Sequence, residues 1–283
     1  MSLAPSLPAG TPMLAPDVFA GQVALITQPG DVIGRAIAAE LARGGAKVVL
    51  ADASAEACAA AAAAVAEAGG AARTVSVRLA DAEAVKRAFE DIERELGPVT
   101  ILINNVPDRG DIPVELMAID RWRDTTQAVL DVTFVWTREL GLRRIADGKG
   151  AAIVNSGTPY SITGGAGAAD TTAAKSAIMN LTTSLAVEWA PYDIRVNGIA
   201  PGYVAGAEAG PAPEGELAAT TPAGRLGSPH EIAWVVAYMC SPFAAYLTGA
   251  TIVVDGASWQ RPGRSPPLFE PIRARYEKAV AKA

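Results

Sequence analysis

Short apolar runs alternate with longer helical stretches from Gly21 to Val254 without a break. The strand candidates are Val23–Thr27, Lys47–Ala51, Thr74–Arg78, Thr100–Asn104, Ala152–Ser156, Ile194–Ile199 and Thr251–Val254. Most are continuous apolar runs, as expected of strands buried on both faces of a parallel sheet. The stretches between them have helix ends. Ser54 caps an alanine-rich helix that stops at Gly69-Gly70, and Asp81 caps one that ends before Gly97-Pro98. Helices are predicted from Asp120 to Ile145, ending near Gly148, and from Asp170 to Ala190, where Pro191 stops the helix. Ser228-Pro229-His230-Glu231 is a capping box with proline at the first helical position. This order predicts an α/β protein: a single doubly wound parallel sheet of about seven strands with helices on both faces.

The 283 residues suit one large α/β domain or two small ones, and the unbroken alternation favours one. Residues 1–20 contain four prolines and read as an irregular arm; residues 21–258 carry the alternation. Within them, the Gly/Ala/Pro/Glu-rich segment 205–221 is an insertion after the sixth strand, and 259–283 is a C-terminal extension. The alanine run at 59–64 reads as helix, since alanine has the highest helix propensity.

Half the residues are apolar and 19% are charged, which excludes disorder through most of the chain. A net charge of −6 disfavours nucleic-acid and anionic-membrane partners, which want a basic face. Two cysteines, Cys58 and Cys240, make no disulfide framework and suit a reducing compartment. No apolar run reaches membrane-span length, and no basic region precedes an apolar one at the N-terminus; the expectation is a cytoplasmic protein. With His230 the only histidine, a zinc site built on Cys and His pairs is excluded, and no metal site is expected. His230 falls in the capping box at a helix N-terminus and reads as structural; Trp189, Trp234 and Tyr238 read as packing residues.

In a doubly wound sheet, ligands bind beyond the carboxyl ends of the strands, which directs attention to 28–34, Asp52, 104–107, 157–160 and 201–204. The markers there stand in a known order: Val23-Ala24-Leu25-Ile26-Thr27 with Gly34-Arg35-Ala36-Ile37-Ala38, Ile103-Asn104-Asn105, and Lys175 on a helix. Ile194-Arg195-Val196-Asn197, Ala200-Pro201-Gly202, Tyr246-Leu247-Thr248-Gly249 and Val254-Asp255-Gly256 follow. From Phe19 to Ser258 the chain resembles the short-chain dehydrogenase/reductase family, with its single Rossmann-type domain. The resemblance implies NAD(P)-linked hydride transfer on a small alcohol or ketone and assembly as a homotetramer or dimer. It implies dinucleotide contacts at Gly30, Ile33, Gly34 and Asp52, and at Asn104, Lys175, Pro201 and Gly202.

The first loop departs from the family pattern T-G-x-x-x-G-x-G: this chain has Thr27-Gln28-Pro29-Gly30-Asp31-Val32-Ile33-Gly34. Glycine permits positive φ and close approach of the backbone to a diphosphate. Val32 adds two methyls there and Asp31 a negative charge, while the helix N-terminus at Ile33-Gly34 still attracts anions. The loop is therefore either a weakened dinucleotide site or a tight turn that serves no ligand. Asp52 at the end of the second strand can accept from both ribose hydroxyls and repels a 2′-phosphate, so NAD is preferred to NADP if any dinucleotide binds. Its alternative role is a cap for the next helix. Arg78 stands where the family often has an aspartate near the adenine.

The family's tetrad of Asn, Ser, Tyr and Lys is replaced at three positions. Lys175 matches the lysine, Thr171 stands in the tyrosine slot four residues earlier, Thr158 in the serine slot, and Val129 in the asparagine slot. The catalytic candidates are thus Lys175, Thr158 and Thr171. A phenol near pKa 10 can be brought into range by an adjacent ammonium, whereas an aliphatic hydroxyl cannot. Tyr160, two residues past Thr158 in the loop that faces the site, reads as surface or lid packing or else as a phenol that approaches from another direction. Three readings stand: an NAD(P)-linked oxidoreductase with an impaired site, a non-redox binding member or subunit, and a cofactor-independent enzyme on the same scaffold.

Overall fold

Seven strands form one all-parallel sheet: β1 (Val23–Thr27), β2 (Lys47–Asp52), β3 (Ala72–Ser76), β4 (Val99–Asn104), β5 (Ala151–Ser156), β6 (Ile194–Pro201) and β7 (Thr251–Val254). Their order is β3-β2-β1-β4-β5-β6-β7. The order reverses at β1, which pairs with both β2 and β4 and so opens a crevice at its carboxyl end. The computed structural model describes residues 7–8, 10–106, 112–207, 214–260 and 272–281. Parts of the expected arm, of the 205–221 insertion and of the C-terminal extension lie outside them.

Ten helices are described: α1 (Val32–Arg43), α2 (Ala55–Glu67), α3 (Ala82–Leu96), α4 (Ile119–Thr126), α5 (Val132–Asp147), α6 (Tyr160–Thr163), α7 (Ala169–Trp189), α8 (Glu214–Thr220), α9 (Pro229–Cys240) and α10 (Ile272–Val280). Successive strand residues point to opposite faces of the sheet, so each strand supplies two cores. Ala24, Ile26 and Leu50 pack with Ile37 and Leu41 of α1, Val65 of α2 and Val236 of α9. Leu25, Leu102 and Ile153 pack on the other face with Phe89 of α3, Trp136 and Leu140 of α5 and Trp189 of α7. The described part of the arm joins the first core: Phe19 is buried, and its amide donates to Gly44 O at 2.7 Å.

The expected caps are in place. The Ser54 hydroxyl accepts from Ala57 N and the Asp81 carboxylate from Ala84 N. In the capping box of α9, Ser228 N donates to Glu231 Oε2 at 2.8 Å. Arg225 grips both oxygens of the same carboxylate, at 2.8 and 2.9 Å. This pair holds the Glu231 pKa below its ordinary 4.5, against a smaller opposing effect of burial. A carboxylate lowered on folding stabilises above its unfolded value and loses that contribution as pH falls through the folded one. Glu231→Gln is therefore expected to flatten the stability–pH curve below about pH 4.5, read by urea melts at a series of pH values; an unchanged acid limb would contradict it.

Beyond shifts of one or two residues at strand ends, the structure departs from the sequence reading at β3, at a π-helical turn, at Tyr160 and at Tyr238. β3 runs from Ala72 to Ser76 rather than Thr74 to Arg78, because pairing of Val48 with Ala72 through Asp52 with Ser76 sets an edge strand's bounds. The helix expected from Asp120 to Ile145 is interrupted by a π-helical turn, Gln127–Asp131, between α4 and α5. Side chains take carbonyls there: Gln28 Nε2 donates to Ala128 O at 3.1 Å and Thr133 Oγ1 to Val129 O at 2.7 Å. Tyr160 opens the short helix α6. Tyr238, read as a packing residue, is exposed, since α9 buries the face carrying Ile232, Val236 and Met239. Trp189 is buried as expected, and His230 sits in the first turn of α9.

Candidate functional site

The carboxyl ends of β1, β4, β5 and β6 gather the loops at 28–31, 105–106, 157–159 and 202–206, and α7 brings Thr171 and Lys175 beside them. The first loop keeps a glycine-like backbone without the glycine: Gln28 has φ +50°, in the left-handed region that favours glycine. Its cost is met by bonds at every polar group but one. Gln28 N donates to Ala51 O, Gln28 O accepts from Asn105 Nδ2, and the side-chain amide reaches Ala128 O. Gln28 Oε1 is buried with no partner among the described residues.

Asp31 caps α1, its Oδ1 accepting from Gly34 N at 2.6 Å and from Asn105 Nδ2 at 3.2 Å. Both remaining glycines are required by internal packing. A Cβ on Gly30 would stand 2.7 Å from Ala57 Cβ, and one on Gly34 would stand 2.8 Å from Pro29 Cα. Val32 is half-buried, and its Cγ1 lies 3.5 Å from where a Cβ on Gly206 would be, so the loop after β6 approaches its methyls.

All the catalytic candidates are buried. Thr158 follows β5, while Thr171 and Lys175 lie one turn apart on α7. Lys175 Nζ is 3.4 Å from Gly157 O. Val129 joins Val106, Ala174 and Ile178 in an apolar cluster beneath them, so hydrocarbon occupies the asparagine slot. Asn104 is also buried: its Nδ2 donates to Thr137 Oγ1 of α5 and Asn155 Oδ1 of β5, and its Oδ1 has no partner among the described residues.

Sequence reasoning missed two groups. Asp170, wholly buried at the start of α7, accepts from Thr125 Oγ1 at 2.9 Å, Thr171 N at 2.9 Å and Arg121 Nε at 3.2 Å. It ties α4 to the turn that carries Thr171. An aspartate in a helix's first turn is its sequence signal, but the partners 45 and 49 residues away are not adjacent in the chain. Asp170→Ala is expected to cost about 2–3 kcal/mol in urea unfolding, because it removes the acceptor of the buried Thr125 hydroxyl and the bond to Arg121 Nε; a loss below about 1 kcal/mol would refute that role. The second is Tyr203: its Oη lies 2.5 Å from Tyr160 Oη, joining the start of α6 to the loop after β6.

Residues 30–257 match the family described as enoyl-(acyl carrier protein) reductase. The cyclohexanol dehydrogenase of Acinetobacter sp. (strain SE19) is 33% identical over 240 residues, covering 84% of this chain and 95% of that protein. The chain belongs to the short-chain dehydrogenase/reductase family. The 3-oxoacyl-(acyl-carrier-protein) reductase of Aquifex aeolicus (strain VF5) is likewise 33% identical, over 83% of this chain and 96% of its own length. A short chain dehydrogenase from Bacillus anthracis str. 'Ames Ancestor' superposes with a TM-score of 0.81 at 31% identity, covering 86% of this chain and 98% of that one.

Short-chain dehydrogenases/reductases typically use NAD(P)H, and the two ends of that cofactor meet different residues here. Asp52 ends β2 half-buried, with Oδ1 accepting from Ser54 N at 2.9 Å and its other oxygen on the same strand end, which suits a ribose diol. Arg78, in the adenine-side slot, is exposed and paired with Asp81 at 2.6 Å. The diphosphate end fits poorly: the Asp31 carboxylate already bonds Gly34 N at the N-terminus of α1, and Val32 carries methyls where the family has glycine. Pro201 and Gly202 serve the sheet, Pro201 in register with Val254 and Gly202 so close to β7 that a Cβ would stand 2.4 Å from Asp255 Cβ. Ile33 and Gly34 form the first turn of α1.

Proposed function

We propose that this chain is a divergent short-chain dehydrogenase/reductase that holds a small molecule at the strand ends and interconverts alcohols and ketones weakly or not at all. One observation carries the reading. The position one turn from Lys175 that must pass a proton holds Thr171, a buried aliphatic hydroxyl. Such a group donates a hydrogen bond to a carbonyl oxygen but does not release its proton near neutral pH, so a developing alkoxide has only hydrogen bonds and the Lys175 charge to stabilise it. Thr158 and Thr171 are the donors in this reading, and Lys175 is the positive charge beside them. Homo-oligomeric assembly, as tetramer or dimer, belongs to the same reading; Phe134 of α5 and Val187 of α7 are exposed apolar side chains on helices that support it, and light scattering measures it.

The test is turnover of a panel of small alcohols and ketones, with NAD(H) and NADP(H) at millimolar concentration, followed by nicotinamide absorbance. Background rates support the reading and robust turnover overturns it. A second reading rests on the Tyr160–Tyr203 pair: an NAD-linked oxidoreductase whose acid has moved to Tyr160, with Asp52 favouring NAD over NADP.

A further inference from the structure

We propose that the Asp31 carboxylate is a resident anion at the N-terminus of α1, so that the crevice excludes the diphosphate of a dinucleotide and admits only ligands uncharged at that point.

The first N–H groups of a helix have no intrahelical acceptor and attract anions. In α1 the third of them, Gly34 N, already donates to Asp31 Oδ1 at 2.6 Å. The same oxygen takes Asn105 Nδ2 at 3.2 Å, and Asn105 is itself tied to Gln28 O at 2.8 Å. Donors from two separate elements, α1 and the end of β4, therefore hold the carboxylate. The loop behind it is equally fixed. Gln28 bridges to Ala128 O, and Pro29 packs so closely on the helix start that Gly34 has no room for a Cβ. Swinging the Asp31 carboxylate out would break its bonds to Gly34 N and Asn105 Nδ2 together.

A diphosphate at this place would face a fixed negative charge in a half-buried crevice, where screening is weaker than in bulk solvent. It would also meet Val32, whose methyls lie beside the Gly206 backbone. Charge and bulk thus oppose the same group of the same ligand, while Asp52 leaves the nucleoside end chemically intact.

The experiment is calorimetric titration of the full-length protein with NAD, NADH and adenosine, repeated for Asp31→Asn and for Asp31→Ser with Val32→Gly. Asn and Ser both keep a side-chain oxygen to cap α1, and circular dichroism melts confirm that each variant folds. The unaltered protein is expected to give no saturable heat with either dinucleotide at millimolar concentration. The double variant is expected to bind NADH at least about tenfold more tightly, and Asp31→Asn alone to show a gain that shrinks as salt is raised. Saturation of the unaltered protein by NAD at micromolar concentration would overturn the proposal, as would a folded double variant or Asp31→Asn that gains nothing. Tight NAD binding without turnover would remove this proposal and leave the Thr171 reading standing; robust turnover would remove both.

Discussion

Turnover by the unaltered protein is expected to lie about 10²–10⁴-fold below that of a family member that has kept the tyrosine, even with cofactor at millimolar concentration. That range is what general acid–base catalysis typically contributes, and Thr171 cannot supply it. Lys175 does not compensate, because its buried ammonium, 3.4 Å from Gly157 O, can lower the pKa of a phenol but has no phenol in that slot to act on. Tyr160→Phe should leave the residual rate where it is, and Thr171→Val should lower it only by the loss of one hydrogen-bond donor. Thr171→Tyr restores the chemical type of the missing group, although Val129 and its apolar cluster limit the space for a ring. The discriminating result is strong turnover that Tyr160→Phe abolishes and Thr171→Val leaves intact. It would show that the acid had moved to the Tyr160–Tyr203 pair.

The largest expected stability effect lies far from the site. Trp136→Ala is expected to cost about 4–5 kcal/mol in urea unfolding, at the upper end for aromatic truncations. Trp136 is fully buried between the sheet and α3, with its ring 5.6 Å from that of Phe89. Its Nε1 also donates to Leu79 O at 3.0 Å, so truncation leaves both a cavity and a buried carbonyl without its donor. Against a total stability of roughly 5–15 kcal/mol, that loss brings the variant near unfolding at ambient temperature. Trp136→Phe, which keeps an aromatic body and loses only the N–H, should cost less. A Trp136→Ala variant within about 1 kcal/mol of the unaltered protein would refute this account of the second core.

The two faces of the sheet differ in how clearly the sequence announces them. The strands at 23–27, 47–52, 99–104 and 194–201 stand out because their middles are buried on both sides and mostly apolar, with polar residues such as Lys47, Asp52, Asn104 and Arg195 towards their ends. β3 is an edge strand with exposed residues, and its bounds follow the β2 ladder more than its own composition. The π-turn at 127–131 was not visible because one of the side chains that takes a carbonyl there, Gln28 on Ala128 O, lies 100 residues away. Asp170 and its partners Arg121 and Thr125 were hidden for the same reason.

Local chemistry is what sequence alone determined here: helix caps at Ser54, Asp81 and Ser228, a doubly wound parallel sheet implied by strict alternation, and the replacement of tyrosine by Thr171. These follow from bonds within a few residues or from the identity of one side chain. Tertiary structure alone decided what each departure does. It bonded the side chain of Asn104 to Asn155 of β5, used the smallness of Gly30, Gly34 and Gly202 for packing, and joined Tyr160 to Tyr203. It also set Asp31 against the N-terminus of α1 with Asn105 as a second donor. The physical reason is the same in each case: a hydrogen bond or a van der Waals contact needs its partner within a few ångströms. Only folding brings together residues that lie tens of positions apart.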